Sequence, residues 1–291
     1  MKIFMHRNII KLLLLIGILN IQIFASDAIT VDSLFKKKDD FRLITSIDTI
    51  NSDGTRRFSS YPNLLSYDDG TIITESKKVF FGQTLLYSYS SSLDLFLSYN
   101  LSYENLDLIE SNKIKNETDF DFDSLWIGGS YNFDKKIAGF RQSLSFQTSL
   151  TQKTKYQNEE DNYSLKSYNI KYSLKSFSDP LISTFYLGTT QNLDRNINDI
   201  ELELPNSYSV GLDLFLILNP DVSLNLNFEQ NYQTEMKEDG MKVNSSTILS
   251  TMGFGITYNI NEANAITINA GIGTSTNAPD SRLSLSLWHK F

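Results

Sequence analysis

The 291-residue chain contains no cysteine and two histidines, His6 and His289. The missing thiols exclude disulfides, thiolate metal sites and cysteine nucleophiles together. They also exclude a lipoprotein anchor, which needs a cysteine at its cleavage point. So few histidines leave little for general-base chemistry, where histidine is the usual agent. Positive charge is in deficit too: 26 Lys and Arg stand against 34 Asp and Glu, a net charge of -8. An acidic chain of this kind is a poor partner for nucleic acid. Beyond residue 25 no apolar run is long enough for a membrane-spanning helix, and helical periodicity is scarce.

The first 25 residues are of another character. Lys2, Arg7 and Lys11 precede the apolar run LLLLIGILNIQIF, and Ala25 and Ser26 supply small residues after it. A basic start, a short apolar stretch and a small-residue exit predict a secretory signal peptide over 1–25. Asn20 and Gln22 interrupt the run, which argues against a permanent anchor. Removing this segment takes three positive charges and no negative ones, so the net charge moves from -8 to -11. Residues 26–40 follow as a short segment that either hangs in the periplasm or folds back as a plug.

What the rest of the chain has is alternation. In LDLFLSYNLSY, Leu93, Leu95, Leu97, Tyr99, Leu101 and Tyr103 share one face of an extended strand, and Asp94, Ser98, Asn100 and Ser102 share the other. VSLNLNFEQ sets Val222, Leu224, Leu226 and Phe228 against Ser223, Asn225, Asn227 and Glu229. AITINAGIG repeats the pattern, with Ile266, Ile268, Ala270 and Ile272 opposite Thr267, Asn269, Gly271 and Gly273. Such segments predict twelve strands, at 41–51, 77–90, 93–107, 121–133, 138–153, 162–176, 181–194, 205–218, 221–236, 245–259, 264–275 and 281–291. Residues 55–67 leave room for one more extended segment.

Connections between these segments alternate as well. Short ones fall near Ser91–Ser92, at DKK (134–136), FSDP (177–180), NPD (219–221) and NEA (261–263), with longer ones between them. Short periplasmic turns in step with longer extracellular loops, and an even strand count, predict an all-β, twelve-stranded antiparallel outer-membrane β-barrel over 41–291. A soluble sandwich also alternates, but its strands are shorter and its connections need not keep step. A lipid-facing sheet must close without edges. The terminal RLSLSLWHKF, with Leu283, Leu285 and Leu287 at alternate positions and a closing Phe291, reads as the last strand. It also resembles the C-terminal signal by which barrels are recognised for assembly. His289 departs from the apolar residue usual there, and Trp288 falls on the inner face without an evident role.

The inner face is where function is expected. Phase places Asp48, Asp94, Arg141, Lys171, Asp213 and Glu229 inward among Ser, Thr, Asn and Gln, with both signs present and no single-sign filter. Twelve strands predict a bore between the filled eight-stranded barrels and the open porins. No cofactor or metal is expected. Asp119, Asp121 and Asp123 in DFDFD read as a solvated loop rim, because the glycine and closing glutamate of a calcium loop are missing. Gly128, Gly129, Gly253, Gly255, Gly271 and Gly273 read as bends or close approaches within strands. With His289 on the lipid-facing set near the periplasmic end, neither the Ser–His pair of outer-membrane phospholipases nor the Asp–His pair of omptin-like proteases has a base in place. Enzymatic activity is not expected.

The last third carries a resemblance. YSVGLDLFLILNPDVSLNLNFEQNYQTEM, the loop with EDGMKVNSS, and AGIGTSTNAPDSRLSLSLWHKF are similar to the outer-membrane family described as transporters of the meta-pathway of phenol degradation. The matching elements are the Asn219–Pro220 turn, Gly271, Gly273, and Ala278–Pro279–Asp280 opening the final strand. The resemblance implies a Gram-negative outer-membrane channel for a small solute, aromatic or otherwise hydrophobic. Its partners would be membrane lipid, lipopolysaccharide and the barrel-assembly machinery. The rivals are a non-conducting structural or adhesion barrel and a conduit for polypeptide export.

Overall fold

The computed structural model describes residues 39–53, 72–110, 113–156 and 159–291. The proposed signal peptide, nearly all of the 26–40 segment and the extra segment at 55–67 lie outside them. Seventeen strands are present among the described residues: β1 (Asp40–Asp53), β2 (Ile72–Ser88), β3 (Leu93–Glu110), β4 (Lys113–Ile137), β5 (Phe140–Tyr156), β6 (Glu159–Tyr163), β7 (Ser167–Ser178), β8 (Leu181–Asn192), β9 (Arg195–Ile197), β10 (Ile200–Glu203), β11 (Ser207–Asn219), β12 (Val222–Gln233), β13 (Met236–Glu238), β14 (Met241–Asn244), β15 (Thr247–Asn261), β16 (Asn264–Gly273) and β17 (Ser281–Lys290).

Twelve of them form one closed antiparallel ring in the order β1-β2-β3-β4-β5-β7-β8-β11-β12-β15-β16-β17. The ring closes where β1 pairs with β17, Ile47 opposite Leu285 and Arg42 opposite Lys290. Alternation decides the faces. Phe81, Leu85, Leu95, Phe146, Leu187, Leu226, Ile256 and Leu283 are all exposed on the outside, whereas Ser102, Thr184, Ser223, Asn225 and Thr257 are buried within. The wall is therefore apolar outside and polar inside, the reverse of a soluble domain.

The short connections at 89–92, 138–139, 179–180, 220–221 and 262–263 all lie at the end that holds Asp39 and Phe291. One boundary differs from expectation. DKK (134–136) is strand, and the turn falls at Ala138–Gly139, whose φ values of 49° and 86° are those of a type I′ hairpin. Three further differences concern strand starts, the first being β2, which begins at Ile72 rather than 77. β4 begins at Lys113 rather than 121, although KIKNETDF shows no apolar row. β7 begins at Ser167 rather than 162, because Leu165 takes a left-handed φ of 56° that interrupts the extended chain.

The opposite end is built up beyond the ring. β6 pairs only with the upper part of β5, and β9, β10, β13 and β14 form a separate four-stranded sheet in the order β14-β13-β10-β9. Type I′ turns make its two hairpins: Asn198–Asp199 with φ of 49° and 69°, and Asp239–Gly240 with 47° and 76°. Asp-Gly is a strong short-range hairpin signal, so EDGMKVNSS, expected as a loop, is the β13–β14 hairpin.

Candidate functional site: the lumen

The six residues expected to face inward each meet a particular partner. At the turn end Asp94 lies 3.5 Å from the Arg42 guanidinium and accepts a hydrogen bond from Ser88 at 2.7 Å, which itself accepts one from Arg42. Asp48 pairs with Arg282 at 2.9 Å. Arg141 stands over the Phe177 ring, 4.8 Å from its centroid. The other three gather in one cluster. Lys171 lies 3.7 Å from the centroid of the Tyr186 ring, Tyr186 donates to Glu229 at 2.7 Å, and Asp213 accepts from Asn227.

That cluster depends on a glycine. Tyr186 on β8 faces Gly211 on β11, and a β-carbon at Gly211 would sit 2.1 Å from the tyrosine ring. Only a residue without a side chain lets the ring lie flat across the neighbouring strand. Tyr186 thus separates the ammonium of Lys171 from the carboxylate of Glu229 and touches both. Ring face toward cation and hydroxyl toward anion is the arrangement that the ring quadrupole and the phenol dipole favour.

Two cavities among the described residues lie along the inner face. The smaller, about 390 Å³, is bounded by Ser46, Thr84, Ser98, Asn100, Gln147 and Asn169, with Phe80, Trp126 and Asp48. The larger, about 490 Å³, runs along the wall of β11, β12, β15, β16 and β17, from Trp288 and Thr257 near the turn end to Pro279 and Leu249 near the loop end. Its wall is stripped of side chains by Gly253, Gly271 and Gly273, with Gly253 directly opposite Gly271 across the β15–β16 pair. Beside the glycines in the same wall are Asn227, paired with Gly253, and Arg282, paired with Gly271, and Asp213, Phe215, Asn225 and Glu229 line the groove further along. Trp288, unassigned from sequence, closes the turn end of this groove beside the fully buried Ala265.

The acidic stretch DFDFD is only in part the solvated rim expected of it: Asp119 is exposed, Asp121 is half-buried and Asp123 is buried. Asp121 pairs with Lys153 and Asp119 with Lys155 across the interior face, and Asp123 is 1 % exposed and accepts from Ser124 at 2.7 Å. The cause is a β-bulge: Asn100 pairs with Ser124 and Leu101 with Phe122, so Asp123 is the unmatched residue and turns inward. Among the described residues no group of three His, Asp or Glu side chains is arranged to hold a metal. His289 faces outward at the turn end, bonded to Asn264 at 2.8 Å and edge-on to Phe291.

Leu283, Leu285 and Leu287 are exposed on the outer face of β17, and Phe291, 70 % exposed, donates its backbone N–H to Phe41 across the closing seam. Arg42, Arg282, Tyr186 and Trp126 also line the interior and were not singled out from sequence. Arg282 shares the phase of Ser284 and Ser286, a signal that was there to be used.

The closed ring, the inverted faces and the one-sided turns decide the architecture. This is the fold of an outer-membrane β-barrel. No family model matches the chain, and no curated protein matches it. Among solved structures it is similar to an outer membrane channel from Pseudomonas putida F1, with 12 % identity, TM-score 0.67, and coverage of 94 % of this chain and 100 % of that one. It is also similar to the translocator domain of the autotransporter NalP from Neisseria meningitidis, with 10 % identity, TM-score 0.52, and coverage of 89 % and 91 %. At these identities the likeness is one of fold.

Proposed function

We propose that the chain is a passive channel of a Gram-negative outer membrane, admitting a small solute along the glycine-walled groove. The groove carries the proposal. Its volume of about 490 Å³ falls in the range of small-molecule sites, roughly 300–1,000 Å³. It offers bare backbone and the rings of Phe215 and Trp288, together with Asp213, Glu229, Asn225 and Asn227. A flat ring can lie against the glycines while its substituents meet amides and carboxylates, which favours aromatic solutes carrying a hydrogen-bond donor. The likeness in fold to an outer membrane channel and the resemblance of the last third to the phenol-pathway transporters support the same choice. Asp48, Asp94, Arg141, Lys171, Asp213 and Glu229 line the passage.

The rest of the proposal rests on the sequence pattern. Residues 1–25 direct export and are removed after Ala25 or Ser26. The apolar outer wall contacts membrane lipid, and the loop end meets lipopolysaccharide. Leu283, Leu285, Leu287 and Phe291 present β17 to the assembly machinery. The likeness to a translocator barrel keeps polypeptide export as the second reading, but the side chains of the Lys171–Tyr186–Glu229 cluster and the Asp48–Arg282 pair intrude on a bore that an extended chain would need.

Refolded protein in planar bilayers tests the channel. Discrete single-channel steps, reduced by millimolar hydroxylated aromatics added to one side, are expected. Silence after refolding has been verified by a heat-dependent gel shift would overturn the assignment.

A further inference from the structure

The four-stranded sheet at the loop end has a core of its own. Tyr156, Ile197, Leu202, Leu204 and Met236 pack together, all nearly or wholly buried, with Tyr163 and Ile200 against them. Tyr156 belongs to β5, two steps beyond Thr154 and four beyond Gln152, and Gln152 lines the smaller lumen cavity. The sheet therefore packs on the inward face of the β5 extension, above the lumen and not outside the wall. Pro205, just after β10, lines the same cavity. At a strand spacing of about 4.8 Å and a tilt of about 40°, a twelve-stranded ring is roughly 24 Å across between backbones, and side chains narrow the bore to about 14 Å. Four strands abreast span about the same width.

Polar contacts tie this sheet to the wall: Tyr156 on β5 donates to Glu238 on β13, Tyr163 on β6 donates to the Asn196 carbonyl, and Arg195 makes the most buried set. Arg195 on β9 is 1 % exposed. It donates to Thr154 and Gln152 on β5, the latter at 2.8 Å, to Ser167 at the start of β7, also at 2.8 Å, and lies 5.5 Å from the centroid of the Tyr163 ring on β6. All four partners are neutral. Arg195 has no ion pair among the described residues, and its Nε and the Nε2 of Gln152 are buried without hydrogen-bond partners. Burial draws the guanidinium down to about 10, still charged at neutral pH. A cation held only by neutral dipoles, with one donor unmet, pays for its dehydration without a counter-charge to offset it. Such a contact fixes a position while leaving it easily lost.

We propose that the four-stranded sheet is a hinged cover over the loop-end mouth of the lumen, and that Arg195 is the positioning residue that holds it closed. The contact reaches the passage directly, because the same Gln152 oxygen that accepts from Arg195 belongs to a side chain lining the smaller cavity. Release of Arg195 frees β9 from the wall at the point where it leaves β8, and the sheet then swings on the connections at 193–194, 204–206, 234–235 and 245–246. The consequence for solute entry rests on the channel function. The position of the cover does not.

The absence of cysteine supplies the test. Asn169→Cys, which lines the smaller cavity beneath the cover, introduces a single thiol. Its labelling by a membrane-impermeant maleimide on intact cells reports access from the loop side. Arg195→Ala should raise the labelling rate by about tenfold or more, the effect of losing one or two hydrogen bonds made by a charged donor. Leu202→Ser, which loosens the apolar packing instead, should do the same. Lys237→Ala, which removes the exposed pair with Glu203 inside the sheet, should leave the rate unchanged. Rates within about twofold of the parent for both Arg195→Ala and Leu202→Ser, with the folded-barrel gel shift intact, overturn the cover. If Arg195→Ala does not assemble, Arg195→Met keeps the bulk and removes the charge, and the same outcomes apply. Conductance separates the two claims. Faster labelling in a barrel that never conducts sinks the channel and keeps the cover, and steady conductance with unchanged labelling does the reverse.

Discussion

Two leucines set the terms of this molecule. Leu226, in the middle of β12, is 45 % exposed on the outer wall, and Leu202, on β10 of the loop sheet, is 0 % exposed in a dry cluster. Both belong to antiparallel strands of one chain. The difference lies in what surrounds each strand. A wall in lipid gains by turning leucine outward and keeping Asn225 and Ser223 within, whereas a sheet in water gains by turning leucine inward. The barrel and its loop sheet are thus two domains of opposite polarity, joined where the inner face of β5 passes from Gln152 in the lumen to Tyr156 in the cluster.

The comparison is broken most sharply at the buried member. Leu202→Ala should cost the loop sheet about 2–5 kcal/mol, the usual range for a large-to-small change in a packed core. Hydrogen exchange checks it: amides of Ile200–Glu203 should exchange faster, while those of β12 stay protected. Uniform loss of protection would show that sheet and barrel are a single cooperative unit.

At the exposed member, Leu226→Arg should destabilise the barrel by ~2–4 kcal/mol if it lies at the bilayer midplane. Asn225→Arg one residue away should cost about 1 kcal/mol, because it forfeits only the 3.0 Å hydrogen bond to Thr257 and points into a cavity. Urea unfolding from vesicles measures both. Equal penalties would reverse the inside-out assignment.

What could be read from the chain alone follows the same division. The twelve wall strands were legible because period-two alternation is local: Leu93 to Tyr103 shows two faces whatever lies beside it. The loop sheet was not legible, because β9 and β13 have three residues each, too few to show a period, and Ile197, Leu202, Leu204 and Met236 look like scattered apolar residues in polar loops. Asp239–Gly240 was the one strong clue. Inside the lumen, a direction could be proposed for a side chain from its phase, but its partner could not. Direction depends on one strand, whereas the meeting of Gly253 with Gly271 or of Tyr186 with Gly211 depends on register between strands. The bulge at Asp123 was hidden for a related reason: an unmatched residue is defined only by the strand that fails to match it.

The smallest expected effect asks whether the interior of the barrel is wet. Asp48 and Arg282 pair across the closing seam between β1 and β17, with more than half of the Arg282 side chain exposed to the lumen. In a water-filled passage the pair behaves like one on any surface, and Arg282→Ala should cost no more than about 1 kcal/mol by urea unfolding. The charge balance of the passage, by contrast, should move toward cations, because Asp48 then stands unopposed beside Asp213 and Glu229, and the reversal potential in a salt gradient should shift accordingly. A dry interior would invert both outcomes. An unpaired Asp48 would then be costly to bury, the barrel would lose several times that stability, and no reversal potential would exist to measure.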